Sequence, residues 1–299
     1  MTLCKGRVAV VTGAGRGVGR AYAEMLAQHG AKVVVNDLGA AANGSGSDTT
    51  PADDVVSAIR AAGGEAIADT SDVSDWASAQ AMIAKAVETF GGLDILINNA
   101  GILRDRMLVN MSEDDWDSVI KIHLKGTFAP THHAANHWRM LSKAGKPVDA
   151  RIINTTSHSA IFGNIGQANY AAAKGGIAAF TIVAARELQR IGVTVNAIAP
   201  RANTRMTEGL RDWTNEERIK RSPDWVAALV TWLASPEASH VSGRVFEAWG
   251  YGFGVAEGWQ HGPVTDASLD PTEIGPRIDA ILEAARPNAG IERETVMNP

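Results

Sequence analysis

The chain has 299 residues, 45% of them hydrophobic, and 28 Lys+Arg against 33 Asp+Glu give a formal charge of −5. That composition can bury a sizeable core, which excludes a disordered chain, and an acidic balance without a dense Lys/Arg cluster excludes a nucleic-acid binder that neutralises many phosphates. The single cysteine, Cys4, excludes an internal disulfide framework and points to a reducing, cytoplasmic setting.

Residues 8–11 are already apolar, so no secretory signal is expected, and no apolar run approaches the ~18 residues of a membrane span. The elements then alternate. Val8–Thr12 reads as a first strand, 33–36 as a second, and 95–97, 151–155 and 193–195 as further strand cores. Each is an apolar run bounded by Gly, Asp or Asn, as strands buried on both faces should be. Between them lie helical patterns. Trp76, Ala79, Ile83, Ala86, Val87 and Phe90 share one face, 177–188 is alanine-rich, and 224–234 is amphipathic and stopped by Ser235-Pro236. Residues 39–50, rich in Gly, Ser and Ala, read as a long loop, and 250–299 open on a glycine- and aromatic-rich stretch with one more helix at 274–285. Repeated β-α units predict an α/β fold, a parallel sheet with helices on both faces, and no linker divides the chain into two domains.

Thr12-Gly13-Ala14-Gly15-Arg16-Gly17-Val18-Gly19 follows the first strand and opens a helix. Glycines let the backbone turn tightly and approach a pyrophosphate, and a helix N-terminus offers free N–H groups and partial positive charge. Asp37 ends the second strand, where an acid accepts hydrogen bonds from the adenosine ribose hydroxyls and repels a 2′-phosphate, favouring NAD over NADP. Arg16, which could meet a phosphate, argues the other way.

Tyr170 and Lys174 are four residues apart in a helical run and share a face. A phenol of pKa near ~10 is a poor base at neutral pH. A cation ~4 Å away, at an effective dielectric of ~20, is worth roughly 4 kcal/mol to the phenolate. Ser157 follows the strand ending at Thr155, at the carboxyl edge where ligands bind in parallel sheets, and its hydroxyl could hold a substrate oxygen.

Together these motifs resemble those of the short-chain dehydrogenase/reductase family: Thr12-Gly13-x-x-x-Gly17-x-Gly19, Asp72-Val73, Asn98-Asn99-Ala100-Gly101, Ser157 and Tyr170-x-x-x-Lys174. The resemblance covers residues 5 to about 250 and implies an α/β, single-domain, doubly wound Rossmann fold with a parallel sheet of about seven strands flanked by helices. It implies that Asp72 and Val73 border the adenine, that Asn99, Ala100 and Gly101 lie along the adenosine ribose and bridge, and that Lys174 holds the nicotinamide ribose. It also implies a homodimer or homotetramer paired through helices around 112–143 and 168–190. Within the family, Asn36-Asp37-Leu38-Gly39 with its Gly-rich insert, the run 101–106 and the run 163–170 are similar to the (3R)-hydroxyacyl-CoA dehydrogenase unit of peroxisomal multifunctional enzymes of type 2 (17β-hydroxysteroid dehydrogenase type 4-like).

Two departures stand out. His123 occupies the place where the family usually has an asparagine that completes a proton relay through its main-chain carbonyl. Pro200 is followed by Arg201 where the family has glycine, and in the loop beyond it Thr204 is the candidate hydroxyl for the nicotinamide amide. His133 and His137 have the i, i+4 spacing of a metal pair, but no Glu accompanies them as in a zinc hydrolase, and no metal is expected. The expected function is NAD-dependent interconversion of a secondary alcohol and a ketone on a 3-hydroxyacyl-CoA or steroid-type small molecule, with no nucleic-acid or membrane partner. The alternatives are an NADPH-dependent 3-oxoacyl reductase and a non-catalytic dinucleotide sensor or scaffold. The expected organisation is a catalytic domain over 1–250 and an extension over 251–299 packed on it. Substrate or subunit selection is expected to reside in that extension and in the 39–50 insert.

Overall fold

A computed structural model describes residues 2–41, 43–46, 48–202, 214–291 and 295–296. The chain divides into two compact units, Met1–Ala256 and Glu257–Pro299. In the first, β1 (Val8–Thr12), α1 (Gly17–Gln28) and β2 (Lys32–Asn36) form a βαβ unit with parallel strands. Next come α2 (Thr50–Ala61), β3 (Glu65–Asp69), α3 (Trp76–Phe90) and β4 (Ile95–Asn98), which pairs with the other side of β1. Beyond it, α4 (Glu113–Ile120) runs through a π-helical turn, Lys121–Lys125, into α5 (Gly126–Lys143). β5 (Ala150–Thr155), the short α6 (His158–Phe162) and α7 (Ala168–Leu188) follow. The unit closes with β6 (Val193–Arg201), α8 (Asn215–Lys220), α9 (Pro223–Leu233), β7 (Val245–Trp249) and β8 (Gly252–Ala256).

The sheet order is β3-β2-β1-β4-β5-β6-β7-β8, parallel through β7 and antiparallel at β8. The fold is thus the predicted Rossmann type with an eighth strand. β8 lies in the stretch taken for the start of the tail. Its large apolar residues Phe253 and Val255 are exposed while glycines alternate with them, so it lacks the apolar-inward signature of a strand.

Alternate residues of each strand feed two cores. Ala9, Val11, Val33, Val35, Ile95 and Ile97 pack against Leu26, Val55, Ile59, Val226 and Val230 of α1, α2 and α9. Val8, Val10, Val34, Leu96, Ile152 and Val195 pack against Met82 and Ile83 of α3, Trp138 of α5 and Ala184 of α7. Each fully buried aliphatic side chain contributes about 1.5–3 kcal/mol. Covering both faces makes the strands continuous apolar runs and leaves only the sheet's ends open. The strand order reverses between β1 and β4, which opens a crevice at the carboxyl ends of these strands.

The second unit carries α10 (Ile274–Ala284), close to the helix predicted at 274–285, and the two-residue strands β9 (Asn288–Ala289) and β10 (Thr295–Val296). It begins at Glu257, against the boundary at 250 drawn from the sequence. Among the described residues no helix is long and apolar enough to cross a membrane.

Candidate active site

The crevice is a cavity of about 720 Å³. Its lining includes every candidate catalytic and cofactor-binding residue named from the sequence save Thr204, which lies outside the described residues.

One wall is the glycine loop between β1 and α1. A Cβ on Gly19 would sit 2.1 Å from the Gly13 carbonyl oxygen, so only glycine lets the helix start this close to the loop. No side chain caps α1 and no acid stands in its first turn, which leaves the N-terminal N–H groups open to an anion. The Thr12 hydroxyl pins the opposite loop by accepting from the Asn99 and Ala100 main-chain N–H groups at 2.9 and 3.1 Å. The Asn99 side-chain amide donates to the Thr12 and Gly13 carbonyls, both at 3.1 Å. These groups present a ready cradle for a pyrophosphate-containing dinucleotide.

Asp37 stands just past β2. Its two carboxylate oxygens accept from the Gly15 N–H at 2.8 Å and the Gly39 N–H at 2.7 Å, so the carboxylate is fixed at the cavity wall. A Cβ on Gly15 would fall 2.8 Å from that carboxylate. The sequence reading gave Gly15 no role, and only this long-range approach reveals one. Asp72 folds back on Ser74, accepting from its N–H and hydroxyl at 2.8 and 2.7 Å, beside the buried Val73.

The other wall comes from β5, α6 and α7. Ser157 is the N-cap of α6, its hydroxyl accepting from the Ser159 N–H at 3.2 Å. Tyr170 lies in the first turn of α7. Burial pushes its phenol up from the ordinary 10, the hydrogen-bonded Ser157 hydroxyl pulls it down, and Asp105 pushes it up. Lys174, one turn on, is buried, and burial lowers its ammonium to about 7. Its Nζ donates to the Thr155 carbonyl at 2.7 Å and stands 5.8 Å from the Tyr170 ring centroid. Burial dominates the phenol's titration.

His123 sits in the π-helical turn with its ring perpendicular to that of Tyr170, centroids 5.2 Å apart. Its Nε2 lies 2.8 Å from the Ile102 carbonyl and 3.1 Å from the Ile102 N–H. Burial first, then Lys174, keeps the imidazole well below its usual pKa and hence neutral. His133 Nε2 is 3.1 Å from the Trp76 carbonyl, and among the described residues no three His, Cys, Asp or Glu side chains are grouped to hold a metal.

Sequence reasoning gave no role to the buried polar residues behind the site. The Asn98 amide donates to Asn154 at 2.9 Å, and the Asn154 amide donates to Thr181 at 2.9 Å, tying β4, β5 and α7 together under the cavity. Asparagines at strand ends were the available signal, since most buried amides of this kind are hydrogen-bonded to neighbouring elements.

A family model described as short chain dehydrogenase matches residues 7–215. The chain is 47% identical over 251 residues to hydroxyacyl-CoA dehydrogenase ChsB1 of Mycobacterium tuberculosis, covering 82% of this chain and 78% of that one. It is 46% identical over 254 residues to peroxisomal multifunctional enzyme type 2 of Drosophila melanogaster, covering 85% of this chain but only 39% of that longer enzyme. The crystal structure of a short chain dehydrogenase from Mycobacterium avium superposes with a TM-score of 0.87 at 52% identity, covering 96% of this chain and 98% of that one.

Proposed function

The chain belongs to the short-chain dehydrogenase family, and from that premise we propose that it is an NAD-dependent dehydrogenase of 3-hydroxyacyl-CoA thioesters or steroid-type secondary alcohols. That it is an oxidoreductase acting on CH–OH groups with a nicotinamide dinucleotide follows from the family. The choice of substrate rests on the relatives named for hydroxyacyl-CoA and multifunctional enzymes, and the choice of NAD rests on Asp37. The observation that carries the reading is that Ser157, Tyr170 and Lys174 line the same cavity as the glycine loop.

When bound, the dinucleotide supplies the hydride acceptor or donor. Gly13, Arg16, Gly17, Val18 and Gly19 hold its pyrophosphate, Asp37 its adenosine ribose, Asp72 and Val73 its adenine edge, and Asn99, Ala100 and Gly101 the bridge. Ser157 donates a hydrogen bond to the substrate oxygen. Tyr170 takes the hydroxyl proton in oxidation and returns it in reduction. Lys174 would hold the nicotinamide ribose, and the His123 carbonyl would anchor by hydrogen bond the water through which the proton leaves towards solvent. Thr204 is assigned to the nicotinamide amide.

We assign a homodimer or homotetramer, supported by exposed Phe128 and Met140 on α5 and Val183 on α7, to be checked by light scattering. A cytoplasmic location belongs to the same proposal and is checked by fractionation. A share of the 257–299 unit in substrate or subunit selection is tested by truncation before residue 270.

A turnover panel of NAD+ and NADP+ against (3R)- and (3S)-3-hydroxyacyl-CoA and hydroxysteroids tests the function. The expected result is NAD-dependent oxidation of a 3-hydroxyacyl-CoA or a hydroxysteroid, lost in Tyr170→Phe. Full turnover by that variant overturns the mechanism, and a wide preference for NADP+ overturns the role given to Asp37.

A further inference from the structure

Three stretches carry the narrower resemblance read from the sequence: the insert after Asp37, the run 101–106 and the run 163–170. The structure brings them together. The Arg104 guanidinium reaches both ways along the cavity rim. Its Nε donates to the Asn43 carbonyl in the insert at 3.1 Å, and its Nη1 pairs with Asp114 at the start of α4. The insert is turned towards it by its own bonds, with the Ser45 N–H and hydroxyl donating to the Asn43 side chain at 3.1 and 2.8 Å. Gly44, in that turn, lies against Ile102 and lines the cavity.

On the other side, the Arg104 carbonyl accepts from the Asn169 side-chain amide at 3.0 Å, and the same amide donates to the Asp115 carbonyl at 2.9 Å. Asn169 is fully buried, immediately precedes Tyr170, and accepts from the Tyr170 N–H at 2.7 Å. Two further ties fasten the runs. The Arg106 N–H donates to the Gly166 carbonyl and the Gln167 amide donates to Asp105, both at 2.8 Å.

We propose that Arg104 is a positioning residue that clasps the turn at 43–45 over the dinucleotide cavity and joins this cover, through its own main chain and Asn169, to the start of the helix bearing Tyr170. The inference rests on the dinucleotide reading of the cavity. The side chain holds the cover and the main chain holds the catalytic helix, so the two ties can be separated. Without its side chain, the cover is freed while the bond from Asn169 to the residue 104 carbonyl stays.

The test follows release of NADH from the full-length protein by stopped-flow fluorescence, alongside single-turnover hydride transfer and thermal unfolding. Removing a hydrogen bond to a charged group is expected to speed NADH release about tenfold or more in Arg104→Ala. Single-turnover hydride transfer should fall far less, a split that general loosening of the site would not give. Arg104→Lys, able to satisfy one partner, should recover part of the retention, and Asp114→Asn, which keeps the bond to Asn43, should fall between wild type and Arg104→Ala. Unchanged release from a folded Arg104→Ala overturns the clasp. Should that variant not fold, unchanged release from both Arg104→Lys and Asp114→Asn overturns it equally. A wild type that binds no nicotinamide dinucleotide overturns the reading of the cavity instead.

Discussion

The Lys174 ammonium donates to the main-chain carbonyl of Thr155 at 2.7 Å from a position almost wholly buried. A charge held there without a carboxylate costs stability, and its pKa falls from 10.5 to about 7. The sign follows from linkage. Below about 7 both folded and unfolded chains carry the charge, and the full penalty, at most about 5 kcal/mol, is present. Between about 7 and 10.5 the folded lysine is neutral while the unfolded one is still charged, so the penalty shrinks as pH rises. Lys174→Met is therefore expected to unfold at a higher temperature than wild type at pH 7. Its advantage should narrow towards pH 9, while its turnover falls by orders of magnitude. Melting curves from pH 6 to 9 beside kcat check this, and a Met variant less stable at pH 7 than at pH 9 relative to wild type counts against it.

Tyr170 titrates under opposed influences that can be removed one at a time. The Ser157 hydroxyl lowers its pKa and Asp105 raises it. Oxidation needs the phenol to accept a proton, so its rate rises with pH along a limb set by that pKa. Ser157→Ala is expected to move this limb to higher pH and Asp105→Asn to lower pH. Ser157→Ala should also cost about 10²–10³ in kcat, as for loss of an oxyanion donor. A pH profile of kcat from 6 to 11 for each variant reads the two displacements, and limbs moving in the same direction would refute the assignment.

The part of this site legible in the sequence is the part whose chemistry is local. The glycine loop, Asp37, Ser157, Tyr170 and Lys174 are each marked by residue type at short spacing beside a strand, and all line the cavity. The strands flanking β1 were legible for the same reason, being short apolar runs. β3 was not, because it holds an edge of the sheet and begins and ends on Glu65 and Asp69. β6 was legible only at its start, since Asn196 and Pro200 interrupt its apolar run. The bonds from Asn169 to Arg104 and Asp115 join residues 65 and 54 positions apart, a relation no local periodicity encodes.

Asp37 has two duties, and a pair of variants separates them. Its oxygens order the loop through Gly15 and Gly39, and its charge faces the cavity. Asp37→Asn keeps an acceptor but removes the charge, so KM for NADP+ should fall while KM for NAD+ rises modestly. Asp37→Ala removes the acceptor as well, and losing a charge-assisted bond at about 1.5–3 kcal/mol should raise KM for NAD+ about 10–100-fold. Steady-state kinetics with both dinucleotides measure this, and an Asp37→Asn variant that still rejects NADP+ as strongly as wild type would remove the charge argument.

Gly101 and His123 form the tightest approach of a glycine to a side chain in the site. A Cβ on Gly101 would fall 2.2 Å from Cε1 of the His123 ring and 2.8 Å from its Nδ1. The ring cannot easily retreat, because Nε2 is held at Ile102 and the Tyr170 ring stands across from it. Gly101→Ala should therefore cost about 1–3 kcal/mol, the usual range for overpacking a filled core. In a His123→Ala background the space is open, and the same methyl should cost less than about 0.5 kcal/mol, which is the size of an ordinary surface change. Urea unfolding of the four proteins in this cycle gives the coupling directly. Additive costs would mean that the clash is relieved by movement of the 101–106 loop and not by the histidine ring. Strong coupling would show that the imidazole itself dictates glycine at 101, and with it the path of the chain from Gly101 to Arg104.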